Sequence, residues 1–122
     1  MAPKKVLIVD DSETLRAILI FVLEEAGFEV LEGTDGIDAT KYLDGRHIDL
    51  IITDLNMPRM DGIGFIRHAR SIETYSQIPI LFLTTDTQQS KKDEARVAGA
   101  TGWIVKPFDQ SKLISAITRV MK

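Results

Sequence analysis

The sequence predicts an α/β domain built as a doubly wound, five-stranded parallel sheet with helices on both faces. Three observations lead there. Short apolar runs rich in β-branched residues alternate with longer stretches of helical period, five times over. The strand-like runs are apolar at consecutive rather than alternate residues, the pattern of strands buried on both faces. The length of 122 residues suits one compact domain, taken as 1–122, and not two. Five such units need a parallel sheet covered on both sides. Right-handed crossovers leave the doubly wound arrangement as the economical solution. Periodicity leaves the strand order open, 2-1-3-4-5 or another.

The elements follow in order. The first strand is Val6-Leu7-Ile8-Val9. Ser12 to Ala26 carries Leu15, Ile18, Leu19, Val22 and Leu23 at helical spacing, with Gly27 as its C′ stop. A short strand follows from Phe28 to Leu31, Gly33 to Gly36 makes a turn, and Ile37 to Leu43 reads as a short helix ending near Gly45. Leu50-Ile51-Ile52 is the third strand. Pro58 and Gly62 bracket a loop, and Gly64 to Ser71 is a helix. Pro79 precedes the fourth strand, Ile80-Leu81-Phe82-Leu83; Gln88 to Ala98 is a polar helix closed by Gly99. Trp103-Ile104-Val105 is the fifth strand. The last helix starts from Asp109, a good N-cap, and runs through Leu113, Ile114, Ile117, Val120 and Met121.

The bulk properties exclude several functions. A net charge of -3 offers no electrostatic footprint for nucleic acid. The absence of cysteine excludes disulfides and thiolate chemistry. Met1 to Lys5 is basic, but the apolar run behind it is too short for a signal peptide. No stretch approaches the roughly 20 apolar residues of a membrane span. The expectation is a cytoplasmic domain with no membrane partner.

The chemistry lies in where the polar residues fall. Strand one runs into Asp10-Asp11, strand three into Asp54, strand four into Thr84-Thr85, and strand five into Lys106-Pro107. In a parallel sheet these ends share one edge, where open α/β folds bind ligands. Three carboxylates crowded there repel one another: two unit charges ~4 Å apart cost about 4 kcal/mol at an effective dielectric near 20. Lys106 supplies one positive charge and leaves two negatives in surplus. A hard divalent cation with oxygen ligands, expected to be Mg²⁺, removes that surplus. Such a site suits phosphoryl transfer to a carboxylate, which needs mainly positioning and charge neutralisation. Metal and Lys106 would face the phosphoryl oxygens from two sides, and the Thr84 hydroxyl a third.

Four motifs now stand in order, each after its strand: Val9-Asp10-Asp11-Ser12, Thr53-Asp54-Leu55-Asn56-Met57-Pro58-Arg59-Met60-Asp61-Gly62, Leu83-Thr84-Thr85 and Val105-Lys106-Pro107-Phe108. Over essentially its whole length the chain resembles the receiver domains of bacterial two-component response regulators, of the single-domain chemotaxis type. The resemblance implies the flavodoxin-like strand order 2-1-3-4-5. It implies that Asp54 is the phosphoacceptor, that Asp11 and Asp54 are direct metal ligands, that Asn56 adds its backbone carbonyl, and that Asp10 holds the metal mostly through water. Thr84 resembles the switch hydroxyl and Lys106 the cation that bonds the phosphoryl group. A cis Lys106-Pro107 bond is frequent in such proteins. Trp103 occupies the switch-aromatic position, usually Tyr or Phe. Asn56 and Asp86 occupy positions that tune phosphoryl lifetime. The implied partners are a histidine kinase and, through the helix 4-strand 5-helix 5 face, a flagellar motor switch or another effector; the chain is expected to be a monomer. A phosphate sink and a phosphorelay intermediate are the other outputs such receivers serve.

Plainer roles compete at single positions. Asp10-Asp11-Ser12 also reads as a helix cap, Asp61-Gly62 as a turn and helix start, and Thr85 as a solvated neighbour of Thr84. His47 and His68 read as surface residues, Lys91-Lys92-Asp93-Glu94 as a solvated helix face, and Trp103 as ordinary packing. Two other classes fit less well. An aspartate-nucleophile phosphatase of the haloacid dehalogenase type has a second Asp two residues after its nucleophile, where Asp10 is followed by Ser12. A flavin-binding module needs a Gly- and hydroxyl-rich phosphate loop where this chain has two carboxylates.

Overall fold

The computed structural model describes residues 3–85 and 89–121. Their elements, in order, are β1 (Lys5–Val9), α1 (Glu13–Glu25), β2 (Glu29–Gly33), α2 (Gly36–Ala39) running into a 3₁₀ turn (Thr40–Tyr42), β3 (Leu50–Asp54) and α3 (Gly62–Arg70). A second 3₁₀ turn (Glu73–Tyr75), β4 (Ile80–Thr84), α4 (Gln89–Ala98), β5 (Gly102–Val105) and α5 (Gln110–Val120) complete them. The strands pair in parallel in the order β2-β1-β3-β4-β5, as the resemblance implied. The sheet therefore reverses direction between β1 and β3, and β1 and β3 end side by side there.

The consecutive apolar residues of the strands divide between two cores. Leu7, Val9, Ile51 and Phe82 point to one face and pack with Phe65, Ile66 and Ala69 of α3 and with Tyr75. Val6, Ile8, Leu50, Ile52, Leu81 and Leu83 point to the other, against Leu19 and Leu23 of α1 and Leu113 and Ile117 of α5. The edge strand β2 carries exposed Glu29 and Glu32, charges that discourage further strand pairing.

Most boundaries follow local chemistry legible in the sequence. After α1 the Gly27 N–H bonds Glu24 O at 3.0 Å and the Phe28 N–H bonds Leu23 O at 3.0 Å. This is a Schellman motif, and its turn residue has φ +95°, which glycine adopts without penalty. Asp109 caps α5 by accepting the Lys112 N–H at 2.7 Å.

Three expectations need correction. The helix expected over Ile37 to Leu43 is a four-residue α2 that tightens into the 3₁₀ turn; the Thr40 hydroxyl bonds back to Ile37 O at 2.6 Å, a local competitor of the α-helical ladder. Helix α3 begins at Gly62 rather than Gly64, because the Asp61 side chain caps it by accepting the Gly64 N–H at 2.8 Å. Strands β3 and β4 run on into Asp54 and Thr84: the ladder bonds backbone to backbone, and a polar side chain does not end it.

Candidate functional site

Four strand ends build one carboxylate-rich edge. The peptide after β1 stays tied to the sheet, with the Asp10 N–H donating to Gly33 O at 3.2 Å, and the Asp10 side chain is fully buried. Its Oδ1 accepts the Ser12 N–H at 2.8 Å, while its Oδ2 has no hydrogen-bond partner among the described residues. Asp54 ends β3, the central strand, and is 5% exposed; its Oδ1 accepts the Leu55 N–H at 2.9 Å. Asp11 is exposed beside them. Oxygens of Asp10, Asp11 and Asp54 lie within 4.8 Å of one another.

Lys106 reaches in from the end of β5, and its Nζ stands 3.2 Å from Asp54 Oδ1 and 3.7 Å from Asp10 Oδ2. The Lys106-Pro107 peptide is cis. Thr84 is buried at the end of β4, paired in register with Val105. Asn56 is exposed in the loop that follows Asp54. Asp86 lies outside the described residues.

One ammonium does not balance three carboxylates. Burial pushes the Asp10 carboxyl above its ordinary value, and the neighbouring Asp54 and Asp11 add to it against the Ser12 N–H and Lys106. The orphaned Asp10 Oδ2 is a second sign of the same imbalance, since a buried acceptor without a donor costs about 1–3 kcal/mol. A hard cation satisfies both. Three clustered carboxylate donors, with no nitrogen or sulfur ligand among them, fit Mg²⁺ in type.

The capping alternative for Asp10-Asp11-Ser12 narrows to one residue. Ser12 alone is the N-cap, its hydroxyl accepting the Leu15 N–H at 3.2 Å. His47 is exposed and bonded to Asp49, His68 and Thr85 are exposed, and Asp61 is a cap, as expected. The solvated-face reading of the α4 charges fails at one position, Lys92, whose Nζ sits 4.9 Å from the centroid of the Trp103 ring.

Several supporting residues were not anticipated. Arg16 of α1 donates to Asp10 O at 2.7 Å and to Glu32 at 2.9 Å, tying the loop after β1 to the edge strand. The buried Thr53 hydroxyl bonds Asp54 O at 2.9 Å. Gly62 donates its N–H to Leu55 O at 2.9 Å, and a Cβ there would collide with Asp54 O and Leu55 Cα, so only glycine lets α3 start this close to Asp54. An Asp-x-x-Met-Pro-x-Met-Asp-Gly spacing carries the glycine, but not the reason for it.

The model of the response regulator receiver domain matches residues 6–118. The chemotaxis protein CheY of Pseudomonas aeruginosa is 36% identical over 119 residues, 97% of this chain and 96% of that protein. Among solved structures, the chemotaxis protein CheY4 of Vibrio cholerae superposes with a TM-score of 0.94 at 43% identity, covering 98% of this chain and 99% of that one. The receiver domain of a sensor histidine kinase from Pseudomonas aeruginosa PAO1, solved with a magnesium ion coordinated in its active-site cleft, has a TM-score of 0.90 at 27% identity and covers 98% of both chains.

Proposed function

The chain belongs to the response regulator receiver domain family, and on that premise we propose that it is a single receiver over residues 1–122 that accepts a phosphoryl group on Asp54 from a histidine kinase. The observation that carries the reading is the Asp54 carboxylate itself: buried, at the end of the central strand, 3.2 Å from Lys106 and within the three-carboxylate cluster.

In the proposed step a carboxylate oxygen of Asp54 forms a bond to phosphorus as the bond from phosphorus to the donor imidazole breaks. Asp10, Asp11, Asp54 and the Asn56 carbonyl would hold Mg²⁺, which would supply neutralisation of the phosphoryl oxygens. Lys106 already leans on Asp54 and transfers its hydrogen bonding to a phosphoryl oxygen. The Thr84 hydroxyl bonds another. Receiver domains of this kind are signalling domains rather than enzymes turning over a metabolite; phosphotransfer and autodephosphorylation are their only chemistry.

Output runs through the face formed by α4, β5 and α5, where Trp103, Val105 and Val97 are exposed. The chemotaxis proteins among its relatives favour a motor-switch partner, with the protein acting as a cytoplasmic monomer. No helix among the described residues is long and apolar enough to cross a membrane. The test is incubation with a small phosphodonor such as acetyl phosphate, with and without Mg²⁺. The mass should rise by one phosphoryl group only with the metal present, and labelling that ignores Mg²⁺ would refute the metal assignment.

A further inference from the structure

Arg59 is the one non-glycine with positive φ among the described residues, at 68°. That conformation is sterically unfavourable for a residue with a Cβ, so something must hold it. Its guanidinium donates to both carboxylate oxygens of Asp35, at 2.8 Å and 2.9 Å, the bidentate geometry that fixes direction as well as distance. Asp35 is the anchored end. Its side chain is 9% exposed against 57% for Arg59, and its Oδ1 also caps α2 by accepting the Asp38 N–H at 2.8 Å. The guanidinium holds the Asp35 carboxyl below the ordinary carboxylate range, so the pair stays charged near neutral pH.

The pair lies where the site-bearing loop after β3 meets the turn after β2. The loop from Leu55 to Met60 follows the nucleophile and contains Asn56. Its base is pinned by the bond from Gly62 N–H to Leu55 O. Its far end rests on the β2–α2 turn, where a Cβ on Gly36 would come within 2.7 Å of Met60 O. That turn follows β2, whose last residue, Gly33, accepts the Asp10 N–H.

We infer that Asp35 and Arg59 are positioning residues for metal binding: their ion pair fixes the far end of the Leu55–Met60 loop so that the Asn56 carbonyl is presented to the cation. This rests on the metal role proposed above for Asn56. Neither side chain is a ligand. A half-exposed ion pair contributes little to global stability, but the pair sets the shape of a loop whose backbone oxygen must point one way.

The experiment measures Mg²⁺ affinity, by calorimetry and by Trp103 emission, for wild type, Asp35→Asn, Arg59→Gly, Arg59→Lys and the Asp35→Asn/Arg59→Gly pair, with thermal melts of each without metal. Asn keeps a capping oxygen at position 35, and glycine relieves the positive-φ cost at 59, so each single variant should fold. Positioning predicts that every variant binds Mg²⁺ about tenfold more weakly, the low end for outer-shell partners of metal ligands, and that the double variant is no worse than the singles. The metal-free melting temperature should fall little, and for Arg59→Gly should hold or rise. Simple charge effects predict opposite signs, with Arg59→Gly tighter and Asp35→Asn weaker, and that result would overturn the inference. Unchanged affinity in all variants would overturn it too, leaving the metal site intact. If wild type itself bound no Mg²⁺, the proposed metal chemistry would fail first and carry this inference with it.

Discussion

The Lys92 ammonium stands 4.9 Å from the centroid of the Trp103 indole, and the buried Phe82 ring lies 6.1 Å from the same indole. The lone tryptophan of the chain is thus held on the outer side of β5 by a contact from α4, although it remains 42% exposed. A cation–π contact at an exposed site is worth about 0.5–1 kcal/mol. Lys92→Ala should therefore cost little stability while raising the accessibility of Trp103 to a neutral quencher. Adding beryllium fluoride with Mg²⁺ should change the wild-type emission, and Thr84→Ala should respond more weakly. An unchanged wild-type spectrum, with binding shown independently, would remove Trp103 from the switching mechanism and leave it as packing.

Asp10 gives a prediction with a definite pH dependence. Its folded-state carboxyl titrates above the ordinary 3.8, first because it is buried and then because two carboxylates face it. As pH rises past 3.8 the unfolded chain ionises first, so stability is lost through the window from there up to the folded value. The loss is complete above that window. Asp10→Asn removes it: without metal the variant should melt higher than wild type near neutral pH, and the gap should close as pH falls toward 4. Added Mg²⁺ should reverse the order by stabilising wild type more. A variant that melts lower than wild type at pH 7 without metal would mean that Asp10 serves mainly to hold the loop after β1.

Gly62 and Gly64 separate close approach from ordinary helix propensity. A Cβ on Gly62 meets backbone atoms of Asp54 and Leu55, which cannot move aside, whereas one on Gly64 meets only side-chain atoms of Asp61 and Met60 at 3.3 Å. Gly62→Ala should cost about 3 kcal/mol or more, at or beyond the upper end of overpacking costs. Gly64→Ala should stay within about 1 kcal/mol of wild type, since alanine also favours the helix. Chemical denaturation measures both, and equal effects would contradict the close-approach account.

Buried Tyr75 is a third stability test. Its hydroxyl accepts the Gly45 N–H at 3.0 Å and donates to Arg46 O at 2.8 Å, tying the loop before β3 to the 3₁₀ turn after α3. Tyr75→Phe removes both hydrogen bonds and, at about 0.5–1.5 kcal/mol for each, should lower stability while leaving Mg²⁺ affinity unchanged. A loss of affinity would show that this end of the sheet communicates with the acidic edge.

The strands and the acidic edge were legible in the sequence for one physical reason. Strands such as Leu50-Ile51-Ile52 are buried on both faces and must be apolar throughout, so the first polar residue after each marks where its end emerges. That rule marked Asp10, Thr84 and Lys106 directly and, one residue past the buried Thr53, Asp54; the fold brings all four to one edge. The supporting contacts were hidden because they depend on distance across the chain rather than on local pattern. Nothing near Asp35 reveals that Arg59, 24 residues on, will grip it. Nothing near Lys92 reveals the Trp103 ring. The short α2 reads as longer in the sequence because Ala39, Tyr42 and Leu43 stand at i, i+3 and i+4, a helical spacing that continues through the 3₁₀ turn.

The most direct test of the central claim is the intact mass of Asp54→Asn beside wild type after incubation with a phosphodonor and Mg²⁺. Asn keeps the size of the side chain and removes the nucleophilic carboxylate, while Asp10, Asp11 and Lys106 remain. Wild type should gain one phosphoryl group and the variant none, with both showing the same circular dichroism. Labelling of the variant at the wild-type level would contradict the account, because the phosphoryl group would then be carried by a residue other than the carboxylate at the end of β3.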